Sequence, residues 1–322
     1  MRARGEALAR CATGVVGCVA VLAVTAASPP PVSTAAQATP AIVWVHATVT
    51  DAEGRVVTGL GKDEFTVLDG GVIRPISVFS SEELPVAISL MLDISGSMEK
   101  TLPNVRRAAE TLLDQFIAGD RVNVGTFASE IATSARFTAN RKKILDGITN
   151  AMMGGELLCR PPSKPQIEDR GLPLAKRGGT WMWDAIECGI QTLQTDGEAH
   201  RRVLVLVTDG KENGGYATGE SAKRMANNVG VLVYAVGLQG IRGRADTLLQ
   251  DLTLSTGGAY LPLEEKDDFG PPFRRIAEEL HAQYILGFES KPGAFGSLQV
   301  TVKTPGLTVR SRRGYVVPPV KK

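Results

Sequence analysis

Residues 87–98 read AISLMLDISGSM, an apolar run followed by a short polar motif. Its first six residues are almost all apolar, which is typical of a strand that is buried on both faces of a sheet. Asp93, Ser95 and Ser97 then follow at alternate positions, and Gly96 permits a tight turn between them. In open α/β sheets, ligand sites lie beyond the carboxyl ends of the strands. The stretch therefore predicts a strand that delivers polar side chains to such a site.

Buried strands and helices alternate on the carboxyl-terminal side of this stretch. The run Val203-Leu204-Val205-Leu206-Val207 is continuously apolar, which is typical of parallel strands covered by helices. Further strands are predicted at 121–127 and 231–236, and helices at 102–117, 141–152, 180–193, 221–228, 245–255 and 272–281. The pattern predicts an α/β fold over residues 85–282, with a doubly wound, mostly parallel sheet flanked by helices.

The two flanks of this region, residues 41–84 and 283–318, have the pattern of short β-strands. In the first flank strands are predicted at 41–50, 64–68 and 72–79, and in the second at 283–288, 298–303 and 307–312. Three short strands are marginal as an independent core. We therefore expect the flanks to pack together as a small composite β-sandwich, into which the α/β domain is inserted.

Two more polar side chains are expected at the edge of the sheet that carries Asp93. Asp209 follows the predicted strand 202–207, and Thr180 stands at the start of a predicted helix. Carboxylate and hydroxyl oxygens suit a hard divalent cation. Zinc is not expected, because the three histidines are scattered over strand, loop and helix. Taken singly, an aspartate after a strand can be only a helix cap, and Gly179-Thr180 can be an ordinary helix start.

Taken together, D-x-S-x-S, a threonine before a helix and T-D-G after a strand resemble the metal-ion-dependent adhesion site (MIDAS) of von Willebrand factor type A (VWA) domains. The resemblance implies the Rossmann-like VWA fold and a bound Mg2+ or Mn2+. It assigns the metal site to Asp93, Ser95, Ser97, Thr180 and Asp209. Ser95 and Ser97 would bind the ion directly, and Thr180 and Asp209 directly or through water. The flanks resemble VWA-related proteins that acidobacteria and similar bacteria export.

The resemblance implies a non-enzymatic, adhesion-type module that binds an Asp or Glu carboxylate of a protein partner at an open position of the cation. Two aspartates roughly neutralise a divalent ion, and the hydroxyls add no charge. The sequence contains neither a G-x-S-x-G nucleophile elbow nor a G-x-x-x-x-G-K-[ST] phosphate loop. One alternative is a structural envelope protein in which the metal only braces a loop. The other is a metal-dependent hydrolase, which would need more carboxylates or a second ion.

Residues 1–38 have the pattern of an export signal. A basic start ends at Arg10, an uncharged segment runs from Cys11 to Ala27, and Ala36-Gln37-Ala38 supplies an A-x-A cleavage pattern. An uncleaved membrane anchor is the alternative, because the 17 uncharged residues are at the lower limit for spanning a bilayer. We expect an exported protein that is periplasmic, secreted or associated with the cell envelope.

The charge distribution argues against a nucleic-acid partner. The chain has 36 Lys and Arg against 34 Asp and Glu, a net charge of +2. This excess lies in the first 38 residues, which hold three arginines and one glutamate, so the remainder is neutral. A nucleic-acid binder would normally carry a basic surplus in its folded part. Balanced charge together with 43% hydrophobic residues also excludes disorder of the whole chain.

A pair of cysteines and a proline-rich segment lie near Thr180 in the sequence. Cys159 and Cys188 are the cysteines beyond the signal, and in an oxidising compartment they could form a disulfide, the alternative being free thiols. The segment 154–179 contains four prolines and no regular period, and it carries a net charge of +2. It is expected to favour an acidic partner, or else to be an insertion that contacts nothing.

Overall fold

The buried strand predicted at 87–92 lies in the middle of a seven-stranded sheet. The computed structural model describes residues 41–134, 136–151, 157–159, 179–196, 201–238, 245–264 and 266–318. Within them, the central strand is β5 (Val86–Asp93), and all eight of its residues are buried. Strand β9 (Arg201–Thr208) pairs with it on one side and β6 (Arg121–Phe127) on the other, both in parallel.

The rest of this sheet extends outward from these three strands. Strands β10 (Leu232–Leu238) and β11 (Tyr260–Leu263) continue it in parallel beyond β9, whereas β7 (Ile131–Thr133) and β8 (Leu157–Leu158) add antiparallel strands beyond β6. The chain runs from β5 to β6 and later returns to β9 on the other side of β5. The strand order therefore reverses between β5 and β9, which is where doubly wound sheets bind ligands.

Six helices cover the two faces of this sheet in the described part of the chain. One face carries α1 (Leu102–Leu113), α2 (Arg141–Ala151) and α6 (Gly270–His281), and the other carries α3 (Met182–Thr195), α4 (Gly219–Val229) and α5 (Ala245–Thr256). Successive residues of β9 alternate between the two cores: Val203, Val205 and Val207 face the first, and Leu204 and Leu206 the second. Each such side chain stabilises the fold by about 1.5–3 kcal/mol on burial. The predicted α/β fold is confirmed.

The two flanks form the expected composite β-sandwich. One sheet has the order β14 (Thr308–Ser311), β1 (Ala41–Thr50), β12 (Tyr284–Ser290) and β4 (Val78–Ser80). The other has the order β15 (Gly314–Val316), β13 (Phe295–Val302), β2 (Phe65–Asp69) and β3 (Val72–Arg74). Each sheet thus joins strands from both flanks. Alternate residues of β1, such as Val43 and Val45, pack in a core with Leu286 of β12 and Val300 of β13.

Buried polar contacts join the β-sandwich to the α/β region. The guanidinium of Arg310 in β14 donates through Nη2 to Glu279 of α6 and through Nε to the carbonyl of Gly257, at 3.2 Å. Glu279 is fully buried and also accepts from Nε of Arg275 at 2.9 Å. Gly257 has φ +89°, and a Cβ there would lie 2.7 Å from the backbone nitrogen of Arg312. Only glycine permits this close approach of the two backbones.

Some predicted elements differ from the observed ones for local reasons. The strand predicted at 72–79 is two strands, because β3 and β4 belong to different sheets and the chain crosses between them after Arg74, where Pro75 lacks an N–H for a ladder. The helix predicted from Thr180 begins at Met182. The short strands β7, β8, β11 and β15 were not predicted, because two to four residues carry no readable period.

Cys159 and Cys188 form a disulfide, which joins the residue after β8 to α3. The bridge confirms the paired alternative. Apart from residues 157–159 and Gly179, the segment 154–179 lies outside the described residues, and so does the predicted signal at 1–38. None of the helices in the described ranges has the length and apolarity that crossing a bilayer demands.

Candidate metal centre

Asp93 and Asp209 lie at the carboxyl ends of the two central strands. Asp93 is the last residue of β5, and Asp209 directly follows β9. The register pairs Leu92 with Val207, so the two strands end side by side. Asp93 is fully buried, whereas Asp209 retains some exposure. The two carboxylates therefore meet at the point where the strand order reverses.

The carboxylate of Asp93 is held in a fixed orientation by its neighbours. Its Oδ1 accepts from the backbone N–H of Ser95 at 2.9 Å, and its Oδ2 accepts from the hydroxyl of Thr208 at 2.7 Å. The Thr208 hydroxyl in turn accepts from the N–H of Gly210 at 3.0 Å. Burial raises the pKa of Asp93, and the negative charge of Asp209 acts in the same direction. A cation beside Asp93 would relieve both penalties.

The hydroxyls of the D-x-S-x-S motif connect the two aspartates. Ser95 Oγ lies 3.2 Å from Ser97 Oγ, and the Ser97 hydroxyl donates to Asp209. Partial burial acts to raise the pKa of Asp209, but hydrogen bonds from Lys211 and Ser97 outweigh it and hold that pKa below its usual range. The Lys211 ammonium lies 2.7 Å from Asp209 Oδ2. Asp93, Ser95, Ser97 and Asp209 thus form one hydrogen-bonded group.

Thr180 lies at the same edge and is joined to the loop that follows β9. Its N–H donates to Oδ1 of Asn213, and its carbonyl accepts from the Asn213 N–H at 3.3 Å. Gly179, before it, has φ +111°, and a Cβ there would collide with the Asn213 side chain. The N–H of Trp181 donates to the carbonyl of Ala128, after β6, at 2.9 Å. The hydrogen bonds place Thr180 beside Asn213 and connect it only indirectly to the other four predicted ligands.

Three acidic residues that the sequence did not single out fix this edge. Glu212 accepts from the N–H groups of Trp183, at 3.1 Å, and Gly214, at 3.2 Å, and so caps the start of α3. Asp184 accepts from the N–H of Tyr216 and from that of Ala217.

The third of these residues, Glu187, accepts from the Ser221 hydroxyl at 2.6 Å. Burial raises the pKa of Asp184, and it raises that of Glu212 to about 7. The loop after β9 and the start of α3 are therefore locked together by the chain's own hydrogen bonds.

The sequence carried only a weak signal for these supporting residues. Thr208 is part of the T-D-G motif, in which the aspartate is the candidate ligand. The available signal was its position at the end of a buried strand, from which a hydroxyl can donate to a carboxylate at the end of the neighbouring strand. Asp184 and Glu187 occur within a helix whose pattern otherwise predicts burial, and a buried acid there signals a polar partner. Their partners, in the loop before α4 and in the first turn of α4, lie more than 30 residues away along the chain, so spacing alone could not name them.

The donor set fits a hard divalent cation. Its atoms are carboxylate and hydroxyl oxygens, which Mg2+ and Mn2+ prefer. Nowhere in the described ranges do three or more His, Cys, Asp or Glu side chains cluster as metal ligands. A site here would therefore combine the carboxylates of Asp93 and Asp209 with hydroxyls from Ser95, Ser97 and Thr180.

Models of one domain family match most of the α/β region. Two models of the von Willebrand factor type A domain match residues 88–212 and 170–267, respectively. The protein is a VWA domain protein. The matched segments begin within β5 and extend past β11, and they include all five residues of the predicted metal site.

Solved structures with similar folds come from several bacteria. A von Willebrand factor type A protein from Catenulispora acidiphila has 13% identity and a TM-score of 0.46, over 88% of this chain and 75% of that one. The pilus adhesin SpaC from Lactobacillus rhamnosus GG has 12% identity and a TM-score of 0.45, over 82% and 49%. An aerotolerance-related membrane protein from Bacteroides fragilis has 19% identity and a TM-score of 0.44, over 61% and 98%. The sequence has no significant match among curated proteins.

Proposed function

We propose that this VWA domain protein is a non-enzymatic module that binds a protein partner through a divalent cation. Asp93, Ser95, Ser97, Thr180 and Asp209 would hold Mg2+ or Mn2+, and an Asp or Glu of the partner would complete the coordination. The observation that carries the proposal is that hydrogen bonds hold the carboxylates of Asp93 and Asp209 and the hydroxyls of Ser95 and Ser97 in one group where the strand order reverses. When bound, the cation would supply a positive charge that attracts a carboxylate.

The surroundings of the two serines support binding rather than catalysis. Ser95 and Ser97 are hydrogen-bonded to each other and to the aspartates. His281 lies 2.9 Å from Asp120, which also accepts from the N–H of Val86 at the start of β5. That is the opposite end of the strand from the serines. A serine nucleophile would need a base within hydrogen-bond reach.

The alternative, a structural protein whose metal only braces a loop, has less support from the structure. The loop after β9 is already held by Glu212, Asn213 and Asp184 through backbone N–H groups. A metal would therefore add little to the order of this loop. Ser97 is an exposed residue, which suits a site that meets a partner.

We further propose that the protein acts outside the cytoplasm. The proposal rests on the signal pattern at 1–38 and on the Cys159–Cys188 disulfide, since disulfides persist in oxidising compartments. The partner would then belong to the cell envelope or the exterior.

A pull-down from envelope extract tests the proposed function. Immobilised protein should capture a partner with Mg2+ and release it when a chelator is added. Asp93→Ala should capture nothing, whereas Asp146→Ala, which removes an exposed carboxylate on α2, should capture as the wild type does. Capture that is unchanged by the chelator and by Asp93→Ala would contradict a metal-dependent contact. If Asp93→Ala lost metal-dependent stability yet kept full capture, the metal would only brace the fold.

A further inference from the structure

A cavity of about 630 Å³ lies between the β-sandwich and the amino edge of the VWA sheet. One wall is the outer face of β1, with Ile42, Trp44 and His46. The opposite wall comes from the amino ends of the parallel strands: Leu84 precedes β5, Arg201 and Arg202 begin β9, and Leu232 begins β10. The metal centre lies at the other end of these strands. Along eight-residue β5 the two sites are separated by roughly 25 Å.

Three arginines line this cavity. Arg201, Arg202 and Arg312 belong to the lining, and among the described lining residues there is no Asp or Glu. Arg201 is only 1% exposed, and its two terminal nitrogens donate to the carbonyls of Leu280 and Leu84. The Nε atoms of all three arginines are buried, and in the described part of the chain none has a hydrogen-bond partner. Buried cationic donors are normally paired, so their convergence calls for an explanation.

Other arginines at the boundary between the β-sandwich and the α/β region do have acidic partners. Arg310 is paired with Glu279, two residues from Arg312 along the chain. Asp120 is near enough to Arg201 to act on its charge, but its oxygens already accept from Val86, Ile117 and His281. Within the described residues, the charges of Arg202 and Arg312 at the cavity thus have no acidic side chain paired with them.

The cavity keeps its positive charge at neutral pH. Burial, followed by the charges of Arg201 and Arg312, lowers the pKa of His46 to about 3, so His46 is neutral. Burial lowers the pKa of Arg201 and of Arg312 to about 10, which still leaves both protonated. The neutral imidazole of His46 adds a polar group to the lining without removing charge.

We propose that this cavity binds an organic anion that has an oxyanion head and an apolar body. Guanidinium groups match the geometry of carboxylate and phosphate oxygens. The volume lies within the range of small-molecule sites, about 300–1,000 Å³, and exceeds what one inorganic ion needs. Apolar side chains complete the lining: Ile42, Leu84, Val229, Leu232 and Ile285. Trp44, which is 48% exposed, also lines the cavity.

Fluorescence titration and thermal shift with defined probes test this site. Octanoate and octyl phosphate present the two kinds of head on the same tail, and octanol, octylammonium and inorganic phosphate are the comparisons. At least one of the two amphiphilic anions should bind saturably, raise the melting temperature and change a fluorescence signal that Trp44→Phe removes. The anion that binds more tightly shows whether the site prefers a carboxylate or a phosphate head. Equal binding of octanol or octylammonium would overturn the role of the arginines, and equal binding of inorganic phosphate would overturn the role of the apolar lining.

Variants of the two partly exposed arginines assign the binding to this cavity. Arg202→Gln and Arg312→Gln should each weaken the preferred probe about tenfold or more, because each removes a charged hydrogen-bond donor. Arg313→Gln is the matched control, since it removes the same charge from an exposed neighbouring side chain. Arg201 is left intact because it also ties Leu84 to Leu280. Wild-type affinity in both folded cavity variants, or no saturable binding of either anion by the wild type, would overturn the proposal.

Discussion

The two edges of the VWA sheet carry buried charged groups of opposite sign. At the carboxyl edge, Asp184 and Glu212 accept backbone N–H groups and thereby fix the loop around Asp93 and Asp209. At the amino edge, Arg201 and Arg312 keep buried donors with no partner in the described chain. One edge concentrates oxygen ligands, and the other concentrates cationic donors. One mostly parallel sheet thus gathers carboxylate and hydroxyl oxygens at one end and guanidinium donors at the other, and the proposed cation and anion sites follow from this separation.

At the amino edge, removing Glu279 should cause the largest loss of stability. Glu279→Ala would leave Arg310 buried without its acid, as Arg312 already is. Breaking a buried ion pair costs about 3–5 kcal/mol in the free energy of unfolding. Urea unfolding should show this loss for Glu279→Ala and almost none for Glu278→Ala, whose side chain is exposed. Equal stabilities would mean that the pair contributes nothing to joining the β-sandwich and the α/β region.

Removing the disulfide should have the next largest effect, on the α3 side of the fold. The bridge closes a segment with a sequence separation of 29 residues. Loop-closure entropy for this length corresponds to about 3–4 kcal/mol. The double variant Cys159→Ser, Cys188→Ser should lose this much in urea unfolding, and reducing agent should destabilise only the wild type. Two free thiols in denatured, unreduced wild type would show that the bridge is absent in solution.

The pH dependence of stability should report on the acids at the carboxyl edge. The pKa of Glu212 is raised from 4.5 to about 7 by burial, so the folded state binds its proton more tightly than the unfolded state. Stability from this group is therefore present below pH 4.5 and declines as pH rises toward 7. In chelator, Glu212→Gln should lose part of the decline in melting temperature that the wild type shows in this window. Parallel pH profiles would contradict the raised pKa.

Replacing Lys211 should have the smallest effect, and it tests whether the carboxyl edge binds a cation. Its ammonium occupies Asp209 Oδ2 and would compete with a metal ion for that carboxylate. Because the lysine is 40% exposed, the pair contributes at most about 1 kcal/mol. Lys211→Met should therefore tighten Mg2+ binding up to about fivefold in calorimetry. Weaker binding would show that Lys211 supports the site instead.

The sequence was informative wherever a pattern extended over one continuous element. The apolar run of β9 predicted a strand buried on both faces, and both of its faces are indeed covered. The flanks predicted a shared β-sandwich because neither could bury a core alone. Short elements were not readable, since Leu157–Leu158 forms a strand only by pairing with β7.

The sequence identified the candidate ligands but not what holds them. Asp93, Ser95 and Ser97 are close in sequence, and Asp209 occupies the matching strand end. Their supports come from distant positions, as when Thr208 donates to Asp93 across 115 residues. The arginine cavity was not predicted for the same reason, because Arg201 and Arg312 belong to different parts of the chain. Burial and missing partners are properties of the folded molecule, which spacing does not show.

The metal-dependent stability of the wild type and two variants tests the proposed cation site at Asp93 and Asp209. With Mg2+ at about 100 times its dissociation constant, the folded state should gain about 2.7 kcal/mol, seen as a higher melting temperature. Asp93→Ala and Asp209→Ala should abolish this gain, and Asp146→Ala should retain it. Mn2+ should act as Mg2+ does. A wild-type melting curve that is the same with Mg2+, Mn2+ and chelator would contradict a cation site at the carboxyl ends of β5 and β9.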